Sequence, residues 1–199
     1  MRRILIPFLM FFYGIAFGGY YPTGTLLVRP DFDFTSITAL GKPTAVTIGA
    51  NNGFSLPIYN SDKEELFFSV IVPCRWDGKS DITCEVVIAL AGAEDVGDTF
   101  SFQLSWAIVE KSSDTLSAST QDIVYNGAVL TGRTAQYSVY TATFTIDYDT
   151  IVGKPIVCRN LLNLRLRRIT AGGTQISNEI IALAPTLRFK VDKMFSNGI

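Results

Sequence analysis

The segment Phe100–Ile108 constrains the fold most, because it alternates without a break. Phe100, Phe102, Leu104, Trp106 and Ile108 interleave with Ser101, Gln103, Ser105 and Ala107. Side chains that change face at every residue belong to a β-strand with one face in a core, and a helix cannot use that spacing. Tyr140, Ala142, Phe144 and Ile146 repeat the pattern against Thr141, Thr143 and Thr145, and Leu187, Phe189 and Val191 repeat it against Arg188, Lys190 and Asp192. Ile82–Leu90 alternates less cleanly. Leu66–Val72 is apolar on both faces, as expected for a strand near the middle of a sandwich.

Shorter strand signals stand at Leu26–Val28, Thr44–Ile48, Phe54–Tyr59, Ile123–Tyr125, Ile156–Cys158 and Leu161–Ile169. Gly49-Ala50-Asn51-Asn52-Gly53, Asn126-Gly127 and Gly172-Gly173 read as turns, the last closing a hairpin onto Glu179–Ala184. The polar stretch Glu110–Gln121 reads as a surface loop. Asp31 and Asp33 alternate with Phe32 and Phe34, one charged and one buried face. Eight to ten strands without a long helix predict an all-β, two-sheet antiparallel sandwich of jelly-roll type over residues 25–199.

Residues 1–24 are different in kind. Arg2 and Arg3 precede an apolar run, Ile4–Phe17, and small residues follow. This has the layout of a secretory signal, with Ala16-Phe17-Gly18 as a cleavage site. It also suits a retained hydrophobic arm, since Pro7, Gly14, Gly18 and Gly19 disfavour one continuous helix. Seven aromatic residues between Phe8 and Tyr21 need cover from protein or lipid. As an arm, the segment would place Ile4, Leu5, Phe8, Phe11, Phe12, Tyr13 and Phe17 in an assembly interface, with membrane contact as the other outlet.

Composition narrows the chemistry. A chain that is 48% apolar and 18% charged, with a net charge of −1, is no electrostatic nucleic-acid binder. With no histidine, every Ser-His or Cys-His nucleophile pair is excluded. Cys74, Cys84 and Cys158 have no zinc spacing. Cys74 and Cys84 bracket a turn and could approach each other across it, while Cys84 and Cys158 read as small buried apolar residues. Arg165 and Arg167 fall on the solvated face of a strand whose other face is Leu162, Leu164 and Leu166, with Arg168 completing the leucine row.

Asp147 and Asp149 share a strand end but lack a calcium-loop spacing, so no metal and no cofactor is expected. Glu94, Asp95 and Asp98 could supply a glycosidase acid pair only if two of them faced each other across a cleft. Trp76 stands in a loop. It caps the open end of the core or, if exposed, stacks on a sugar or anchors a partner.

The run LPIYNSDKEELFFSVIVP, the turn WDGKSDI, and AEDVGD before FSFQLSW make Leu56–Val109 resemble a β-sandwich domain of structural proteins from tailed and uncultured bacteriophages. The resemblance implies a non-enzymatic virion protein: a head decoration or cement protein, a head fibre, or a tail-associated receptor binder. Its implied partners are the major capsid protein or neighbouring subunits, in a homo-oligomer such as a trimer. The alternative is a secreted or membrane-tethered lectin-like module whose Trp76 and Glu94 loops contact carbohydrate.

Overall fold

The structure is a computed structural model that describes residues 24–30, 43–56, 65–109, 120–150 and 155–191. The arm residues Ile4, Leu5, Phe8, Phe11, Phe12, Tyr13 and Phe17 lie outside these, as do Asp31–Phe34 and most of the Glu110–Gln121 loop. Ten strands and no helix occur among the described residues: β1 Gly24–Val28, β2 Thr44–Ile48, β3 Asn51–Leu56, β4 Glu65–Ile71, β5 Ile82–Leu90, β6 Thr99–Val109, β7 Gln121–Ala128, β8 Val139–Ile146, β9 Leu161–Ile169 and β10 Ile180–Val191.

Two antiparallel sheets share the strands. One has the order β2-β3-β10-β5-β8, with β1 also paired to β10, and the other has the order β4-β9-β6-β7. From β3 onward the chain changes sheet at every step except β6 to β7. Eight strands in the paired orders 3-10-5-8 and 4-9-6-7 are the jelly-roll connectivity, so the expected fold is confirmed in topology as well as class. The apolar rows face each other: Phe100, Phe102, Leu104 and Trp106 of β6 meet Cys84, Val86 and Ile88 of β5 and Ala142 and Phe144 of β8 in one core.

Four local expectations change. Leu66–Val72 is not central: β4 is an edge strand, and its outward residue Ile71 is 66% exposed. Asn126-Gly127 is no turn but lies inside β7, because a Cβ on Gly127 would sit 2.5 Å from the Phe100 ring. Glycine is there for close approach. Gly172-Gly173 closes no hairpin, since β9 and β10 belong to different sheets. Ile156–Cys158 is not a strand, because it carries the turn into β9.

The cysteines also pair differently. Cys74 is bonded to Cys158, and Cys84 stays free and buried in β5. The inward face of β5 takes Cys84 away from the loop, and Arg159, at φ +69° with its N–H on the Val72 carbonyl (2.9 Å), brings Cys158 to Cys74 instead. The bond closes a loop of 84 residues between the β4 and β9 ends of the second sheet. Cys158→Ser should therefore lower unfolding stability by about 2–4 kcal/mol, read from the urea midpoint. An unchanged midpoint would show that the bond constrains little.

Candidate functional site

The two outer faces of the sandwich differ. On the six-stranded sheet, β8 shows Val139, Thr141, Thr143 and Thr145 to water, and Arg188 of β10 pairs with Glu85 of β5 at 2.7 Å. This is an ordinary solvated surface. On the four-stranded sheet, the outward side of β6 is Ser101, Gln103, Ser105 and Ala107, and the first three are buried although they point away from the core. Their neighbours cover them.

The strand register lines these residues up in rows across the face. Phe67, Arg165, Ser105 and Asp122 form one row, and Glu65, Arg167, Gln103 and Val124 form the next. Ser69, Asn163 and Ala107 lie on the other side of the Phe67 row, and Ile71, Leu161 and Val109 close that end. Arg167 donates to Gln103 Oε1 from Nε (3.1 Å) and Nη2 (2.6 Å). Arg165 Nη2 donates to Ser105 Oγ at 3.2 Å. Glu65 lies 3.6 Å from Arg165 and 3.9 Å from Arg167. A hydrogen bond from the Ser105 hydroxyl, helped by Gln103 and the two arginines and opposed by burial, holds the Asp122 carboxyl below its ordinary value.

The result is a hydrogen-bonded lattice spanning four strands. Its charges cancel: Arg165 and Arg167 against Glu65 and Asp122. Polar side chains fixed by one another need no reordering when a ligand arrives. Arg165 Nε is buried without a hydrogen-bond partner, a donor that the lattice itself does not use. Phe67 adds an aromatic ring beside Arg165, and Ile71, Val109, Leu161 and Arg159 line a cleft of about 480 Å³ at the apolar end.

The residues singled out from sequence lie elsewhere. Trp76 is only 5% exposed, with Tyr148 and Phe189 edge-on at 6.3 Å each. It caps the end of the core and offers no ring for stacking. Glu94 is only 7% exposed and turns inward, where its oxygens accept from Ser177 N (2.9 Å), Ser177 Oγ (3.1 Å) and Asn178 N (2.7 Å). Neither residue therefore forms a surface contact loop. The Glu94 carboxylate is committed and faces no acid partner. Asp98 accepts from the Asp95 N–H in its own turn at 3.1 Å. Asp149 N donates to Asp147 Oδ1 at 3.2 Å, and no group of three or more metal-binding side chains occurs among the described residues.

The sequence pattern does not single out Phe67 or Asp122. Phe67 is a large apolar residue out of phase with Leu66, Phe68 and Val70, and that phase gains meaning only once β4 is known to be an edge strand.

No family model and no curated protein matches the chain. Among solved structures, the chain is similar to a xylan-binding module, CBM15, at 13% identity and a TM-score of 0.43, covering 83% of this chain and 97% of that one. It is similar to a family 11 carbohydrate-binding module from Clostridium thermocellum, solved with a beta-1,3-1,4-mixed-linked tetrasaccharide, at 9% identity and a TM-score of 0.41, covering 88% and 94%. A non-crystalline-cellulose-specific module, CBM28, matches at 12% identity and a TM-score of 0.35, covering 75% and 80%.

Two outcomes test the inward placements. Trp76→Ala should cost about 3–5 kcal/mol of stability in urea unfolding, as for a buried large ring; a cost near zero would return the ring to the surface. For Glu94, burial pushes the pKa up, but the N–H groups of Ser177 and Asn178 outweigh it, and the folded value lies below normal. An acid lowered on folding stabilises fully above its unfolded pKa of about 4.3 and loses that stabilisation as pH falls through the folded value. Glu94→Gln should cost about 1–3 kcal/mol near neutral pH and flatten the loss of stability below about pH 4. Parallel pH profiles for the two proteins would refute this.

Proposed function

We propose that this domain is a non-catalytic glycan-binding module and that the outer face of the four-stranded sheet is its binding surface. The charge-balanced polar lattice beside Phe67 is the observation that carries the reading. A neutral sugar presents hydroxyl edges that need paired donors and acceptors, and C–H faces that need an apolar plane. Arg165, Arg167, Gln103, Asn163 and Asp122 offer the first, and Phe67 offers the second. Two cations cancelled by two anions leave little net field for a phosphate or a polyanion. The Cys74–Cys158 disulfide supports work in an oxidising setting, outside a cell or on a virion surface.

The second reading is a virion structural protein. The resemblance of Leu56–Val109 to phage structural domains motivates it, and the jelly-roll connectivity is compatible with both readings, since capsid and lectin domains alike use it. A receptor-binding component of a virion would satisfy both readings at once, as an oligomer displaying the polar face outward.

A glycan array tests the glycan reading. Binding to neutral oligosaccharides is expected, with Phe67→Ala and Arg167→Ala each lowering affinity about 10-fold or more while far-ultraviolet dichroism is unchanged. Affinity should change little between low and high salt, because no counterions are released by a neutral ligand. Absence of binding across the array, or binding that survives both substitutions, would overturn the glycan reading.

A further inference from the structure

Strand β8 ends the six-stranded sheet, and its free edge differs from those of β2, β4 and β7. Sheet edges display unpaired N–H and C=O groups, and proteins blunt them with charges, proline, bulges or short strands. β2 has only 5 residues, β4 carries Glu65, and β7 carries Asp122 and an internal Gly127. Over Val139–Ile146, β8 has no charge, no proline and no glycine, and its register with β5 is unbroken from Ile82↔Ile146 to Ala89↔Val139.

The backbone phase of this edge follows from one bond. Leu90 N–H donates to Ser138 O at 3.1 Å, and that pair is the next step of the β5–β8 register. Hydrogen-bonded pairs alternate along an antiparallel ladder, so Tyr140, Ala142, Phe144 and Ile146 turn their backbone groups to β5. Val139, Thr141, Thr143 and Thr145 turn theirs outward. Val139 O agrees with this phase, because Arg133 Nη1 reaches it from the β7–β8 loop at 3.4 Å. Among the described residues, no hydrogen bond reaches the outward backbone groups of Thr141, Thr143 and Thr145.

The two ends of the edge carry opposite charges. Arg133 lies at the Val139 end, its guanidinium 5.8 Å from the centre of the Tyr140 ring, and no carboxylate pairs with it among the described residues. Asp147 follows Ile146 at the other end, exposed and likewise without a paired cation among the described residues. A strand that is basic at one end and acidic at the other complements an antiparallel copy of itself.

We propose that β8 pairs antiparallel with β8 of a second copy of this chain, joining two six-stranded sheets across a two-fold axis at Thr143. In this register Thr143 faces its own counterpart, and Thr141 faces Thr145 of the second copy. Each facing pair exchanges two backbone hydrogen bonds and adds a threonine–threonine contact on the solvent side. Val139 then faces Asp147 of the second copy, which sets that carboxylate beside Arg133, and the symmetry repeats the pair at the other end. The axis of such a strand pair runs perpendicular to the sheet, so both four-stranded sheets lie on one side and turn their outer faces the same way. The pairing does not depend on what those faces bind.

Sedimentation velocity of the full-length chain, from low to high micromolar concentration, should show a monomer–dimer equilibrium. Thr143→Lys places like charges on the axis and should raise the dimer dissociation constant about 10-fold or more, with far-ultraviolet dichroism unchanged. Arg133→Asp and Asp147→Arg should each weaken the dimer, and the double reversal should restore it. Oxidised cysteine variants read the register independently, since the free Cys84 is buried in β5 and does not compete. Thr143→Cys should give a disulfide-linked dimer on a non-reducing gel. Thr145→Cys should not, because it faces Thr141 and not its own counterpart. A monomer or a trimer throughout, a dimer unmoved by Thr143→Lys or by the single reversals, a double reversal that restores nothing, or no linked dimer from Thr143→Cys would overturn the proposal.

Discussion

One short crossing, held from both sides, secures the sandwich at the end away from the disulfide. Between β9 and β10 the chain leaves one sheet for the other, and there Ser177 and Asn178 lie in no strand. Glu94 accepts the N–H groups of Ser177 and Asn178, and Arg168 donates to the carbonyls of Ile176 (3.2 Å) and Asn178 (3.0 Å). Ile176 N is taken by Thr99 O at 3.1 Å. Burial lowers the Arg168 pKa to about 10, offset in part by Glu94 and Glu179. A buried cation and a buried anion are each costly alone. Here each is satisfied by backbone groups that would otherwise be orphaned, and the crossing is fixed in place.

This arrangement explains why the acid that looked available for chemistry is not. Glu94 sits in a polar loop, and sequence offers no means of telling a solvated loop acid from one that folds back onto a segment 83 residues later. The partners are the backbone of Ser177 and Asn178, and a backbone partner leaves no residue-type signal. Trp76 is a related case: its burial depends on Val191 and Phe189, more than a hundred residues away. The strands themselves were legible because alternation is local. β5, β8 and β9 begin or end where their apolar rows do, and the fold class follows from them. What alternation cannot reveal is which strand lies at an edge or which two change sheets, so pattern alone makes β4 central and Gly172-Gly173 a hairpin. Asn126-Gly127 misleads for a physical reason: the dipeptide that usually makes a turn is used here so that β7 can pass over the Phe100 ring.

The difference between the two outer faces is not required by folding. A threonine face like that of β8 suffices to keep a sheet soluble. The other sheet instead places serine, glutamine and alanine along β6 and lays arginine side chains from β9 over them. The long side chains of one strand cover the small ones of the next and are already hydrogen-bonded to Ser105 and Gln103. Side chains held in this way have little conformational entropy left to lose.

The same geometry explains why the face is open in its middle rows and apolar at one end. β4 ends at Ile71 and β6 at Val109, so the last row of the sheet is bounded by loops rather than by further strands. The Cys74–Cys158 bond ties two of those loops together. Apolar residues in that row cannot be part of the core, since the sheet itself stands between them and it. They are instead the place where an element outside the eight-stranded sandwich can bury surface against it, at about 25 cal/mol for each Å² of apolar area removed from water. The polar rows have no such need. Arg165, Arg167, Gln103 and Ser105 hold one another in place by hydrogen bonds across the strands, in the rows that also hold Phe67 and Asp122.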